Sequence, residues 1–156
     1  MLANALVSSK LDFCNSLYYG LPQSSIHRLQ LIQNSLARAV FPSVKRNEHI
    51  TPILRKLQWL PVNQRITYKV ALLTFKSLQI KQPSYLFDLL IPYQPARNLR
   101  SSNQSLLTIP PVKTTVGRRS FAFSAPTIWN ALPATLRQTT SLSHFRSGLK
   151  THLFPP

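Results

Sequence analysis

The chain has 156 residues, enough for one domain with its own core, and 44% of them are hydrophobic, which excludes a disordered tail. Nineteen Lys and Arg stand against three acids, a formal charge of +16. Internal salt bridges cannot neutralise such an excess, so the charges repel one another or meet an external polyanion: nucleic acid first, ahead of an anionic membrane or an acidic protein.

Residues 2–19 read as one helix, with Leu2, Leu6, Phe13 and Leu17 among its apolar positions. Gly20 is a C′ stop and Pro22 follows it. Cys14, the only cysteine, excludes an intrachain disulfide, fits a reducing compartment and reads as a small core residue. The helix opens at the first residue without a cap, as expected of a sequence beginning inside an element.

The segment 25–41 carries the clearest helical period. Ile26, Leu29, Ile32, Leu36 and Val40 recur at spacings of 3, 3, 4 and 4, with His27, Gln30, Asn34 and Arg38 on the other side. Ser24 or Ser25 is the expected cap, and Pro42 the stop. Thr51 before Pro52 starts a short helix over about 52–58.

Pro61 opens a longer helix reaching about Leu78. Val62, Ile66, Val70 and Leu73 make one apolar face; Tyr68, Leu72 and Phe75 make another. Two apolar faces place this helix centrally, and the stripe Arg65, Lys69, Lys76 between them must snorkel outward or meet a ligand. Ser84 caps a further short helix over about 84–90.

From Ile91 to Arg119 the period dissolves into Pro, Ser, Asn and basic residues, a long loop with a strand expected at Ser105–Ile109 and a hinge near 92–104. "RNLRSS" (97–102) suits phosphate contact, since Arg, Asn and Ser all donate to phosphate oxygens, and suits a plain surface loop too. "FSAPTIWNALPATL" (123–136) has no charge. It reads as a structural helix or turn bounded by Pro126 and Pro133, burying Phe121, Phe123, Ile128, Trp129 and Leu132. The last helix covers about 143–153, with Leu142, Phe145, Leu149 and Leu153 inward and Arg146 and Lys150 outside. The fold class is therefore mainly α: a small helical bundle with a loop-rich C-terminal subdomain and at most a short β element.

The chemistry of catalysis is missing from the composition. The only acids are Asp12, Glu48 and Asp88, too few for a two-metal carboxylate site or a paired acid and base. His27, His49, His144 and His152 lack metal-ligand spacing, and with one Cys a structural zinc is not expected. No Gly-rich phosphate loop or nucleophile elbow occurs. The chain is expected to be no enzyme, with no cofactor and no metal. It has no signal-peptide layout and no apolar run of bilayer length, so it is expected in the nucleus or cytoplasm, neither secreted nor bound to a membrane. Tyr18, Tyr19 and Tyr93 are candidates for base stacking, with packing the plainer role.

Six segments in order carry a resemblance: "SSKLDFCNSLYYGLPQSSIHRLQLIQNSLARAV", "HITPILRKLQWLPVNQRITYKVALLTFKSL", "SYLFDLL", "RNLRSS", "GRRSFAFSAPTIWNALP" and "LSHFRSGLKTHLF". Over roughly residues 8–154 the chain resembles the C-terminal part of the reverse transcriptase polyprotein of LINE-type (non-LTR) retrotransposons, from the end of the polymerase thumb onward. The family's endonuclease and its palm Asp-Asp pair have no counterpart here, so its catalytic activity does not carry over. The resemblance implies a nucleic-acid-binding segment of the target-primed reverse transcription machinery, and a truncated copy starting at an internal Met. It also implies a thumb-like helical segment over 1–91, a basic loop over 92–119 and a C-terminal helical subdomain over 120–156.

The expected contacts to RNA, DNA or a hybrid are Arg38, Arg65, Lys69, Lys76, Arg97, Arg100, Arg118, Arg119, Arg146 and Lys150, all to phosphates. The alternatives are a protein-interaction module using apolar faces left bare, and a translated fossil without function.

Overall fold

A computed structural model describes residues 2–42, 48–95 and 105–154. Its α-helices are α1 (Leu2–Asp12), α2 (Gln23–Val40), α3 (Thr51–Lys56), α4 (Val62–Ile80), α5 (Ser84–Phe87), α6 (Phe121–Ala131), α7 (Ala134–Arg137) and α8 (Leu142–Leu153). Two 3-10 turns, Asn15–Tyr18 and Gly117–Arg119, complete it. The chain is a mainly α helical bundle. In place of the expected strand at 105–109, Leu107 makes one isolated antiparallel bridge with Pro92. Tyr93 N–H donates to Leu106 O at 2.9 Å and Thr108 N–H to Ile91 O at 2.8 Å.

Helix α4 is the axis, as its two apolar faces require. It packs on α2 and the Asn15–Tyr18 turn at one end and on α5, α6 and α8 at the other. Its first turns contribute Val62 and Ile66 to a small cluster with Ile26, against which Tyr18, Tyr19, Leu21 and Leu29 pack. Its later turns contribute Val70, Ala71 and Phe75 to the largest cluster, with Leu90, Leu107, Ala125, Ile128, Trp129, Leu132, Phe145 and Leu149. That core draws on both sides of the 92–119 segment. The expected hinge lies largely at 96–104, outside the described residues.

The neutral stretch around Trp129 is core. Trp129 is 2% exposed, its ring lies 5.9 Å from Phe145, and Phe145 stacks on Phe75 at 4.2 Å. Its indole N–H donates to Ser105 O at 2.7 Å, so the ring's one polar atom is satisfied. Ile128 and Leu132 are buried; Phe121 and Phe123 are half-buried. Pro126 lies inside α6 rather than at its edge, buried in the core. It removes one helical N–H, and the burial of its ring compensates. Arg137, which the periodicity does not single out, is buried and donates from Nη1 to Asn130 O and Leu132 O at 2.8 and 2.9 Å, closing the end of α6.

The N-terminal expectation needs several corrections. The single helix over 2–19 breaks after Asp12: Cys14 adopts φ 49° and a 3-10 turn follows. Packing of that turn on α4 overrides the helical period. Cys14 is consequently exposed rather than a core residue, and Phe13 and Leu17 stand 73% and 74% exposed. The side chains of Leu2 and Leu6 lie outside the described set.

On α2 the buried face is Ile26, Gln33, Leu36 and Ala37, rotated from the expected stripe, and Ile32 and Val40 face solvent. The rotation follows from two amides. Gln33 Nε2 donates to Leu60 O at 2.9 Å, and Gln30 Oε1 accepts from Val62 N–H at 2.8 Å, capping α4 from another helix. Pro22, Ile50 and Pro83 occupy the N-cap positions where Ser24 or Ser25, Thr51 and Ser84 were expected, and none makes a side-chain capping bond.

Candidate nucleic-acid interface

Phe145 and Leu149 of α8 are fully buried in the core they share with Phe75 of α4. Their chain neighbours Arg146 and Lys150 are thereby fixed at the seam between the two helices, one helical turn apart. On the α4 side the seam presents Arg65, Tyr68, Lys69 and Leu72. The result is an open cleft of about 350 Å³, lined also by Asp12, Asn15, Gln58 and Leu60. A second hollow of about 440 Å³ shares Gln58 and Lys150 and adds Arg55, Ser147, Thr151 and Phe154. Five cations, Arg55, Arg65, Lys69, Arg146 and Lys150, thus face one carboxylate, Asp12.

Arg65 Nη1 lies 3.2 Å from Asp12 Oδ1. The groups are close enough for an ion pair, but this nitrogen makes no aligned hydrogen bond. Asp12 is 52% exposed, so solvent weakens the pair and a competing anion can share the guanidinium. Lys150 Nζ donates to Gln58 Oε1 at 3.4 Å and lies 6.0 Å from the Phe154 ring centroid, a weak tether that holds the ammonium over the cleft. Lysines and arginines held on two packed helices, with polar Gln58, Ser147 and Thr151 among them, can bind successive phosphates and offer little that would read a base sequence.

Four of the ten expected contacts, Arg65, Lys69, Arg146 and Lys150, meet in this cleft. Arg118 and Arg119 line a separate one of about 400 Å³ with Tyr18, Tyr19, Asn63, Thr115 and Phe123. There Arg119 Nε donates to Gly20 O at 3.1 Å, which joins the C-terminal 3-10 turn to the N-terminal one. Gly20, at φ 73°, leaves room for that side chain: a Cβ would sit 2.9 Å from Arg119 Cγ. Burial pushes the Tyr19 phenol above its ordinary pKa, so it stays a neutral hydroxyl.

Lys76 is exposed farther along α4 and lines neither cleft, and Arg38 is engaged at the end of α2, Nη2 donating to Glu48 O at 3.2 Å. Arg97 and Arg100 lie outside the described residues. Arg55 was not among the expected contacts; it sits in the last turn of α3, and only the fold brings it to Lys150. Among the described residues no three His, Cys, Asp or Glu gather to hold a metal ion. No described helix is long and apolar enough to cross a membrane.

No family model, curated protein or solved structure matches the chain.

Proposed function

We propose that the chain is a non-catalytic nucleic-acid-binding protein that grips phosphates in the α4–α8 cleft, in the manner expected of the C-terminal segment of a LINE-type reverse transcriptase. The observation that supports this reading is the convergence of two pairs from distant parts of the sequence, Arg65 and Lys69 with Arg146 and Lys150, around one cleft with a single carboxylate. Like charges brought together in this way repel one another, and a bound polyanion relieves that repulsion.

Fluorescence anisotropy with RNA, duplex DNA and an RNA–DNA hybrid across a salt series tests the reading. For about five phosphates neutralised, log affinity should fall against log salt with a slope of about −4.5. Replacing Lys69, Arg146 and Lys150 together by Glu should lower affinity at least tenfold and flatten that slope. Unchanged affinity in a triple variant with wild-type circular dichroism would remove the cleft from the account.

One observation favours a second reading. An apolar groove between α1 and α2, lined by Val7, Leu31, Ile32, Ser35, Leu36 and Ala39, has the character of a protein-contact surface. A salt-insensitive oligomer in light scattering that ignores nucleic acid would put that reading first.

A further inference from the structure

We infer that Phe13 is a base-stacking platform set between the two basic clefts, so that the chain prefers single-stranded nucleic acid to a duplex; this rests on the nucleic-acid reading above. The turn that carries Phe13 inverts the usual polarity of burial. Asn15 is 3% exposed and its Oδ1 has no hydrogen-bond partner, whereas Phe13 and Leu17 on either side are 73% and 74% exposed. Stability alone favours the reverse, since an unpartnered buried amide oxygen costs free energy and an exposed aromatic gains none. The left-handed Cys14 between Phe13 and Asn15 produces this arrangement, ending the helix that would have continued through them.

The position of the turn says what the ring meets. Asp12 and Asn15, beside Phe13, line the cleft with Arg65, Lys69, Arg146 and Lys150. Tyr18 and Tyr19, just beyond Leu17, line the cleft with Arg118 and Arg119. An exposed apolar knuckle therefore belongs to the turn whose flanking residues line two cationic hollows. A strand held in both hollows would follow this turn, and Phe13 is the exposed aromatic ring the turn offers it. In a duplex the bases are stacked inside and offer the ring nothing. A single strand offers it a free π-face beside each phosphate, and cations interleaved with aromatics are the surface such strands bind.

The test compares a single-stranded RNA of about 12 nucleotides, within the span of a stacking groove, with the duplex of the same sequence, each fluorescein-labelled and titrated with the full chain. Wild type should prefer the single strand. Phe13→Ala should lose about tenfold in single-strand affinity, with duplex affinity and salt slope unchanged, and Phe13→Trp should restore it. Because Phe13 is exposed, circular dichroism should show both variants folded. Wild-type single-strand affinity in Phe13→Ala would overturn the inference and leave the nucleic-acid reading standing. Failure of the wild-type chain to bind either probe would remove that reading and this inference with it. A change of oligomeric state in Phe13→Ala, with RNA binding intact, would assign the knuckle to a protein contact and overturn the inference.

Discussion

The two ends of α4 are held by different physics. At its C-terminal end Val70, Ala71 and Phe75 enter an apolar core with Trp129, Phe145 and Leu149, where two aromatic contacts orient α8. At its N-terminal end the apolar cluster is only Ile26, Val62 and Ile66. There the contact with α2 relies on amides, Gln33 on Leu60 O and Gln30 on Val62 N–H. The first end gains from burial, which is large and not directional; the second gains from hydrogen bonds, which are smaller but fix a register. The basic cleft joins the two ends: Arg146 and Lys150 reach it from α8, and Asp12, Asn15, Leu60 and Arg65 line it from the N-terminal end. The exposed knuckle of Phe13 and Leu17 belongs to the end with less core to bury them.

Trp129→Ala is the largest expected effect and would test whether the rigid end supports the whole molecule. Removing a ring that is 2% exposed should cost about 3–5 kcal/mol in urea unfolding, a large share of the ~0.05–0.15 kcal/mol per residue that holds such domains together. Nucleic-acid affinity should fall with it, because Phe145 loses a neighbour and Arg146 and Lys150 lose their fixed positions. An intact melting transition in that variant would show that the C-terminal end of α4 does not carry the stability of the molecule.

Gln33→Ala tests the other end and should cost about 1–3 kcal/mol, since it leaves Leu60 O without its donor in a buried site. Binding in the α4–α8 cleft should weaken less than in Trp129→Ala, because Leu60 and Arg65 line the cleft from this end while Phe145 and Leu149 still hold Arg146 and Lys150. Equal losses of stability and affinity would mean that the two ends are one cooperative unit. The smallest effect is expected for Leu31→Ser with Ile32→Ser, two side chains about half exposed on α2. Stability should move by about 0.5 kcal/mol or less for each, measured by thermal unfolding. A larger loss would show that the apolar groove is part of the core rather than a free surface.

Much of the fold was legible from periodicity. Pro61, Val62, Ile66, Val70 and Phe75 set α4 as the central helix, and Phe145 and Leu149 set the inner face of α8, because a two-sided or one-sided apolar pattern has few places to go in water. The absence of charge from 123–136 marked Trp129 as core for the same reason. The pairing of Arg65 and Lys69 with Arg146 and Lys150 was not legible. Each pair showed its i, i+4 spacing, but only contact between α4 and α8 puts the two stripes around one cleft. The rotation of α2 was hidden as well: Gln33 is no part of the apolar period, and its burial goes with a hydrogen bond to Leu60 O from another segment.

By itself the sequence determined the class of the molecule: helical, strongly basic with only three acids, and with an uncharged aromatic core segment. Composition and period act locally, so they are settled before any tertiary contact forms. Tertiary structure alone decided which cations share a cleft, which glutamines turn inward, and that Phe13 faces solvent while Asn15 does not. Those choices depend on a left-handed residue at Cys14 and on partners far away in the chain, and no local pattern encodes the arrival of a distant carbonyl or the seam of a distant helix.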